Sequence, residues 1–252
     1  MFDSGVGGLA VARALQRLAP AERIVYFADT AWFPYGPRPP AEVRKRAFAI
    51  TRRLLESEAK LIVVACNTAS AAALADLREA FPQVPFVGMV PGVKPAARQS
   101  NNRHVVVLAT EGTLDSRLLE RVVEEFGRGT RVARIVGHGL AEAVERGECD
   151  GPRIRARLRG LLESQVAAGA DTVVLGCTHY AFLAPAIAAE FPGVAIVDTS
   201  EAVARRAFDV LIERDSVSPG PGGLSFIVSQ DLAAFLRRVE ALGLRREGAV
   251  PA

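Results

Sequence analysis

Two cysteines stand where chemistry can be done. In Val63-Val64-Ala65-Cys66-Asn67-Thr68-Ala69 a thiol follows a strand-like apolar run and precedes a helical stretch. In Val173-Val174-Leu175-Gly176-Cys177-Thr178-His179-Tyr180 the arrangement returns with a histidine two residues on. A thiol in a strand-to-helix turn meets unpaired backbone N–H groups and the positive end of the helix dipole. The sequence therefore predicts a pKa below the ordinary value of ~8.5. One such cysteine is more often a packed structural residue. Two at equivalent places in a repeat favour a function.

That repeat is explicit. Leu54-Leu55-Glu56-Ser57, an apolar run, Cys66, a helical stretch and Ala80-Phe81-Pro82 return as Leu161-Leu162-Glu163-Ser164, an apolar run, Cys177, a helical stretch and Glu190-Phe191-Pro192. Thiols at matched strand ends of two similar units could form a disulfide, hold a metal, or face one substrate from opposite sides. The absence of a CxxC, and of any nearby histidine but His179, argues against a metal. A disulfide would block a cleft otherwise lined with polar groups. Paired acid/base thiols remain, a geometry suited to taking a proton from one face of a carbon and returning one to the other.

Other motifs are less specific alone. Asp3-Ser4-Gly5-Val6-Gly7-Gly8 opens a helix at 9–18; it lacks the Lys-Ser/Thr of a P-loop and reads as a flexible cap or as a small-anion cradle with a carboxylate beside it. Phe33-Pro34-Tyr35-Gly36 predicts an ordered loop. Ala109-Thr110-Glu111-Gly112-Thr113 joins a strand to a helix, with hydroxyls for capping or for a carboxylate. His104, His138 and Cys149 read as bystanders.

The elements that must position these residues follow from periodicity. Val/Ile-rich runs at 24–28, 61–65, 86–90, 105–109, 132–136, 172–176 and 195–197 alternate with helical stretches at 41–58, 69–81, 114–126, 151–168 and 201–214. Strands buried on both faces between helices predict right-handed βαβ units and mainly parallel sheets, with ligands at the strand ends. The sequence predicts one lobe from 1–90 plus 200–252 and a second from 91–199, crossing near Val90-Pro91-Gly92 and Asp198-Thr199-Ser200. A loop at 216–223, a strand at 224–228 and a helix at 232–242 return to the first lobe. Only Met1 and Phe2 precede the Asp3 turn, too little for a full strand, which predicts either a start further upstream or a weakened lobe with Asp3 on a frayed end.

Taken together, the Asp3–Leu9 stretch (with Phe2), Phe33-Pro34-Tyr35-Gly36, Ala65-Cys66-Asn67-Thr68-Ala69, Val90-Pro91-Gly92, Ala109-Thr110-Glu111-Gly112-Thr113 and Gly176-Cys177-Thr178-His179-Tyr180 resemble, in order, the bacterial glutamate racemases of the aspartate/glutamate racemase superfamily. The resemblance implies two similar Rossmann-like or flavodoxin-like α/β lobes with the active site in the cleft between them. It implies cofactor-independent two-base racemisation of L- and D-glutamate, for peptidoglycan synthesis in the cytoplasm. Carried over, Cys66 takes the α-proton of D-glutamate and Cys177 that of L-glutamate. Asp3 assists Cys66; His179, with Glu145 behind it, assists Cys177. Ser4, Pro34, Tyr35, Gly36, Asn67, Thr68, Thr110, Thr113 and Thr178 contact substrate. Gly137-His138 replaces a Cys-Pro frequent in the family, while Glu145-Arg146-Gly147 keeps its Glu-x-Gly.

Composition bounds the alternatives. The 252 residues are 50% hydrophobic and 23% charged, with 31 Lys+Arg against 28 Asp+Glu, which excludes a disordered or collagen-like chain. The surplus arginine is scattered, so no nucleic-acid surface is expected. No apolar run reaches the roughly 18 to 20 residues of a membrane span. Three cysteines and no secretory signal predict free thiols in a reducing compartment. No metal or cofactor is expected; glutamate is the expected small-molecule partner, a homodimer is compatible with the sequence, and nothing in it supports the gyrase contact reported for some family members. The competing readings are an aspartate racemase, a single-thiol decarboxylase, which two matched cysteines disfavour, and a non-catalytic binding protein that keeps the cleft.

Overall fold

The computed structural model describes residues 1–242 and the backbone of 249–251; residues 243–248 and 252, part of the expected first lobe, lie outside the described residues. The described strands are β1 (Phe2–Asp3), β2 (Arg23–Ala28), β3 (Ile62–Val64), β4 (Phe86–Gly88), β5 (His104–Ala109), β6 (Arg131–Val136), β7 (Thr172–Gly176), β8 (Ala195–Val197), β9 (Gly223–Val228) and β10 (Ala249–Pro251). They form two sheets, in the orders β10-β9-β2-β1-β3-β4 and β6-β5-β7-β8, and every neighbouring pair is parallel. The helices are α1 (Leu9–Leu18), α2 (Pro40–Leu55), α3 (Asn67–Ala80), α4 (Val93–Gln99), α5 (Glu111–Leu114), α6 (Arg117–Phe126), α7 (Leu140–Glu145), α8 (Pro152–Ala167), α9 (Ala184–Glu190), α10 (Ser200–Glu213) and α11 (Leu232–Ala241). Among the described residues no helix is long and apolar enough to cross a membrane.

The central strands β5 and β7 are buried at every position, as their unbroken Val/Leu runs require when helices cover both faces. The edge strands depart from that expectation. β6 exposes Arg131 and Arg134, and β8 exposes Ala195, because an edge has a partner on one side only; the arginines also make a poor template for further pairing. The helix expected at 114–126 is broken in two. Ser116 starts α6 afresh, its Oγ accepting from the Leu119 N–H at 3.2 Å.

The short first strand is not frayed. Phe2 and Asp3 are completely buried between β2 and β3, with the Asp29 N–H donating to the Asp3 carbonyl and the Ala65 N–H to that of Phe2, each at 2.9 Å. Two residues suffice because both neighbouring strands supply ladder partners. The chain leaves the first sheet after β4 and returns after β8. β9 then lies beside β2 over six residues, and α11 is pinned by Phe235, whose ring meets Phe226 edge-on at 5.3 Å and stacks near Tyr26 at 6.2 Å.

Candidate active site

Cys66 and Cys177 end the two strand-to-helix turns that the repeat relates. Cys66 caps α3, and its Sγ accepts from the Ala69 N–H at 3.5 Å. The alanine-rich α3 turns Ala69, Ala73 and Leu77 toward the core, which fixes the first turn and the thiol it carries. Cys177 directly follows β7 and opens a 3-10 turn, Thr178–Leu183. Both thiols are buried and free. They line one cavity with Ser4, Pro34, Tyr35, Gly36, Asn67, Thr68, Thr110, Thr178 and His179, and with Phe33, expected only as part of its loop motif, and Ala141, which the sequence did not single out. Asp3, Glu145 and Thr113 stand immediately behind. The cavity measures about 20 Å³, room for roughly one water. The cleft is narrow.

Asp3 organises the Cys66 side. Its Oδ1 accepts from the Ser4 N–H at 2.6 Å, and its Oδ2 from the Gly8 N–H and from the Thr178 hydroxyl at 3.2 Å. Burial raises the Asp3 carboxyl above its ordinary value, against the pull of His179 and those N–H groups. The expected low pKa at Cys66 is reversed. Burial, followed by the Asp3 charge, pushes this thiol well above the ordinary range, and the Ala69 N–H offsets only part of it. A helix N-terminus offers partial charge; a fully desolvated thiolate beside a carboxylate costs more.

On the other side, the His179 Nδ1 lies 3.9 Å from the Cys177 Sγ, and its Nε2 lies 2.9 Å from the Glu145 Oε1. Burial would lower His179, but contact with Cys177 and Glu145 and the Asp3 charge outweigh it and hold the ring well above its ordinary value. Burial would raise Glu145, yet His179, the Val6 N–H at 2.7 Å and Arg238 keep it below its ordinary value. Arg238 was not foreseen. It lies on α11 with no motif around it, and no spacing could have found it.

Several contacts join the two sheets across the cleft. The Thr68 hydroxyl lies 2.9 Å from that of Thr110 and 3.3 Å from that of Thr113, and the latter two are 3.0 Å apart. The Gly112 N–H donates to the Gly36 carbonyl at 3.1 Å. The Tyr35 hydroxyl is committed to Asp29 at 2.5 Å, and Arg46 grips the same carboxylate with two nitrogens. Asn67 is buried with neither side-chain amide atom partnered by protein. His138 is exposed, Cys149 is half-buried in core packing, and His104 contacts the Ala168 carbonyl and Gln165, outside the cavity lining. Among the described residues no three His, Cys, Asp or Glu side chains converge as a metal site would require.

The chain resembles proteins of known activity over nearly its whole length. The family model described as Asp/Glu/Hydantoin racemase matches residues 7–207. The glutamate racemase of Roseiflexus sp. is 45% identical over 250 residues, 97% of this chain and 91% of that protein. The crystal structure of glutamate racemase from Thermus thermophilus in complex with beta-chloro-D-alanine superposes with a TM-score of 0.86 at 40% identity, covering 100% of this chain and 94% of that one. Escherichia coli glutamate racemase, in complex with L-glutamate and the activator UDP-MurNAc-ala, gives 0.86 at 32% identity over 99% and 96%.

Proposed function

The chain belongs to the Asp/Glu/hydantoin racemase family, and from that premise we infer that it interconverts L- and D-glutamate by proton transfer between two thiols. Cys66 takes the α-proton of D-glutamate and Cys177 that of L-glutamate, the opposite thiol returning a proton each time. The observation that carries this reading is that two free cysteines from different sheets line one small cavity. Residues 1–90 with 200–242 act as one lobe and 91–199 as the other, a division that the sheet membership of their described strands supports.

An α-proton beside a carboxylate is very weakly acidic, so the cleft must stabilise the charge that develops when it leaves. The Thr68 and Thr110 hydroxyls, with Thr113 behind them, and the unpartnered Asn67 amide supply donors for the carboxylate. Thr178 and Ser4 tie the Asp3 end, and the Pro34-Tyr35-Gly36 turn closes the wall. A cavity of about 20 Å³ does not admit an amino acid, so the lobes part for substrate and close on it, excluding water. Burial and Asp3 keep Cys66 protonated in the closed cleft. The α-ammonium of the substrate brings the cation that makes its thiolate accessible. On the Cys177 side His179, held by Glu145, takes and returns the thiol proton.

Such proton transfer needs no cofactor. D-glutamate made in the cytoplasm would supply peptidoglycan synthesis. A homodimer is compatible with this reading and is tested by mass in solution; no gyrase contact is assigned. The decisive assay follows circular dichroism of L- and D-glutamate, with aspartate as control, in deuterated water. Deuterium is expected at the α-carbon from either enantiomer, and Cys66→Ala and Cys177→Ala are each expected to abolish racemisation. Turnover that requires added pyridoxal phosphate, or full activity in both variants, would overturn the mechanism.

A further inference from the structure

We propose that Arg238 is a positioning residue for the Cys177 side of the cleft: from α11 it holds Glu145, and through Glu145 the ring of His179, in place against Cys177. The proposal rests on the reading above of Cys177 and His179 as an acid/base pair.

Glu145 is gripped from three separate segments. The Arg238 Nη1 donates to its Oε2 at 3.1 Å; its Oε1 accepts from the Val6 N–H at 2.7 Å and lies 2.9 Å from the His179 Nε2. The need for these donors is local. Glu145 is the last residue of α7, where the negative end of the helix dipole disfavours a carboxylate, and its side chain is buried. Among the described residues Arg238 is the one donor to Oε2, so without it that buried oxygen loses its partner, and the carboxylate must turn or take up a proton. Either change releases the ring that faces Cys177.

The support for Arg238 is rigid. Phe235 and Val239, on either side of it along α11, are fully buried, and the Asp231 carboxylate caps the helix through the Ala234 N–H at 2.9 Å. The arginine side chain itself is 31% exposed, so it closes the site from the rim and keeps part of its hydration. The other titratable groups facing this pair are Asp3, Cys177 and Cys149 around His179, and Asp3 and Tyr26 around Glu145.

The test compares the full chain with Arg238→Ala and Arg238→Lys. Arg238→Ala is expected to lower kcat/KM about tenfold or more, the equivalent of one charge-assisted hydrogen bond. The loss is equal in both directions, because the equilibrium constant of a racemisation fixes the ratio. The acid limb of its pH profile moves to higher pH, since the cation that helps hold Glu145 ionised is gone. Arg238→Lys and added guanidinium each restore activity in part. The chain has three histidines, so ring NMR can follow His179 directly, and its resonance is expected to shift in Arg238→Ala and far less in Arg238→Lys. A folded Arg238→Ala with unchanged kcat/KM, pH profile and His179 resonance overturns the proposal, even if it melts at lower temperature. If the parent chain does not racemise glutamate, the acid/base reading fails, and the His179 resonance still decides whether Arg238 holds the pair.

Discussion

Thr178 donates its hydroxyl to Asp3 at 3.2 Å, so the residue after one thiol holds the carboxylate beside the other. Glu145 repeats the arrangement in the opposite sense, carried by α7 beside the second sheet and bonded to the Val6 N–H from the turn after β1. Each half of the cleft is thus finished by a group from the opposite side. Both halves of the cleft therefore depend on contacts between the two sides.

The Asp3 charge is the second cause, after burial, of the high Cys66 pKa. Asp3→Asn is therefore expected to move alkylation of Cys66 by iodoacetamide to lower pH, followed by peptide mass mapping against Cys177 as internal reference. Racemisation falls in the same variant, because the amide cannot accept from all four of the donors now on Asp3, the Ser4 N–H and hydroxyl, the Gly8 N–H and the Thr178 hydroxyl. An unmoved alkylation profile sinks the assignment of Asp3 as the group facing Cys66.

Glu145→Gln removes a buried carboxylate whose folded pKa lies below its ordinary value of 4.5. A depressed carboxylate stabilises the fold above its unfolded pKa, and that contribution is lost as pH falls through the folded value. The variant is expected to be about 2 to 4 kcal/mol less stable at neutral pH. The gap should narrow below pH 4.5, as urea unfolding at several pH values will show. A gap independent of pH contradicts the charge argument.

Thr68→Val keeps the shape of the side chain and deletes one of three mutually bonded hydroxyls. Loss of a donor to a carboxylate is expected to raise KM for both glutamate enantiomers by about tenfold or more, from 1.5 to 3 kcal/mol, roughly. Initial-rate kinetics in each direction check it. An unchanged KM removes Thr68 from the substrate contacts.

Gly7 is required by close approach. A methyl there would lie 2.5 Å from the Thr178 Oγ1 and closer still to the His179 Nδ1, and the ring is backed by Glu145 and by Phe33, whose centroid lies 5.4 Å away. Gly7→Ala is expected to cost about a hundredfold in kcat/KM, the scale of a displacement of about 1 Å at reacting groups. Gly160→Ala, in the open interior of α8, should leave activity intact and add about 0.5–1 kcal/mol of stability. Equal effects from the two changes would discredit the packing argument.

The alternation of Val/Ile-rich runs with helical stretches located the central strands to within a residue or two, because burial on both faces leaves an unbroken apolar run that is visible locally. It failed where neighbours decide. Phe2–Asp3 forms a strand because β2 and β3 flank it, and β6 exposes arginines because no described strand pairs with its outer side. Val93–Gln99 and Leu140–Glu145 are too short to show a period of their own.

The sequence by itself determined where the two thiols stand along the chain and which hydroxyls and glycines follow the strand ends, since those are properties of short segments. Only the tertiary structure decided what each thiol experiences. Asp3 meets Thr178 across 175 residues and Glu145 meets Arg238 across 93. The rise in the Cys66 pKa comes from desolvation and a facing carboxylate, where the local turn alone pointed to a fall. Burial and charge act through space, and the dipole of one helix end is the smaller effect at a buried thiol facing a carboxylate.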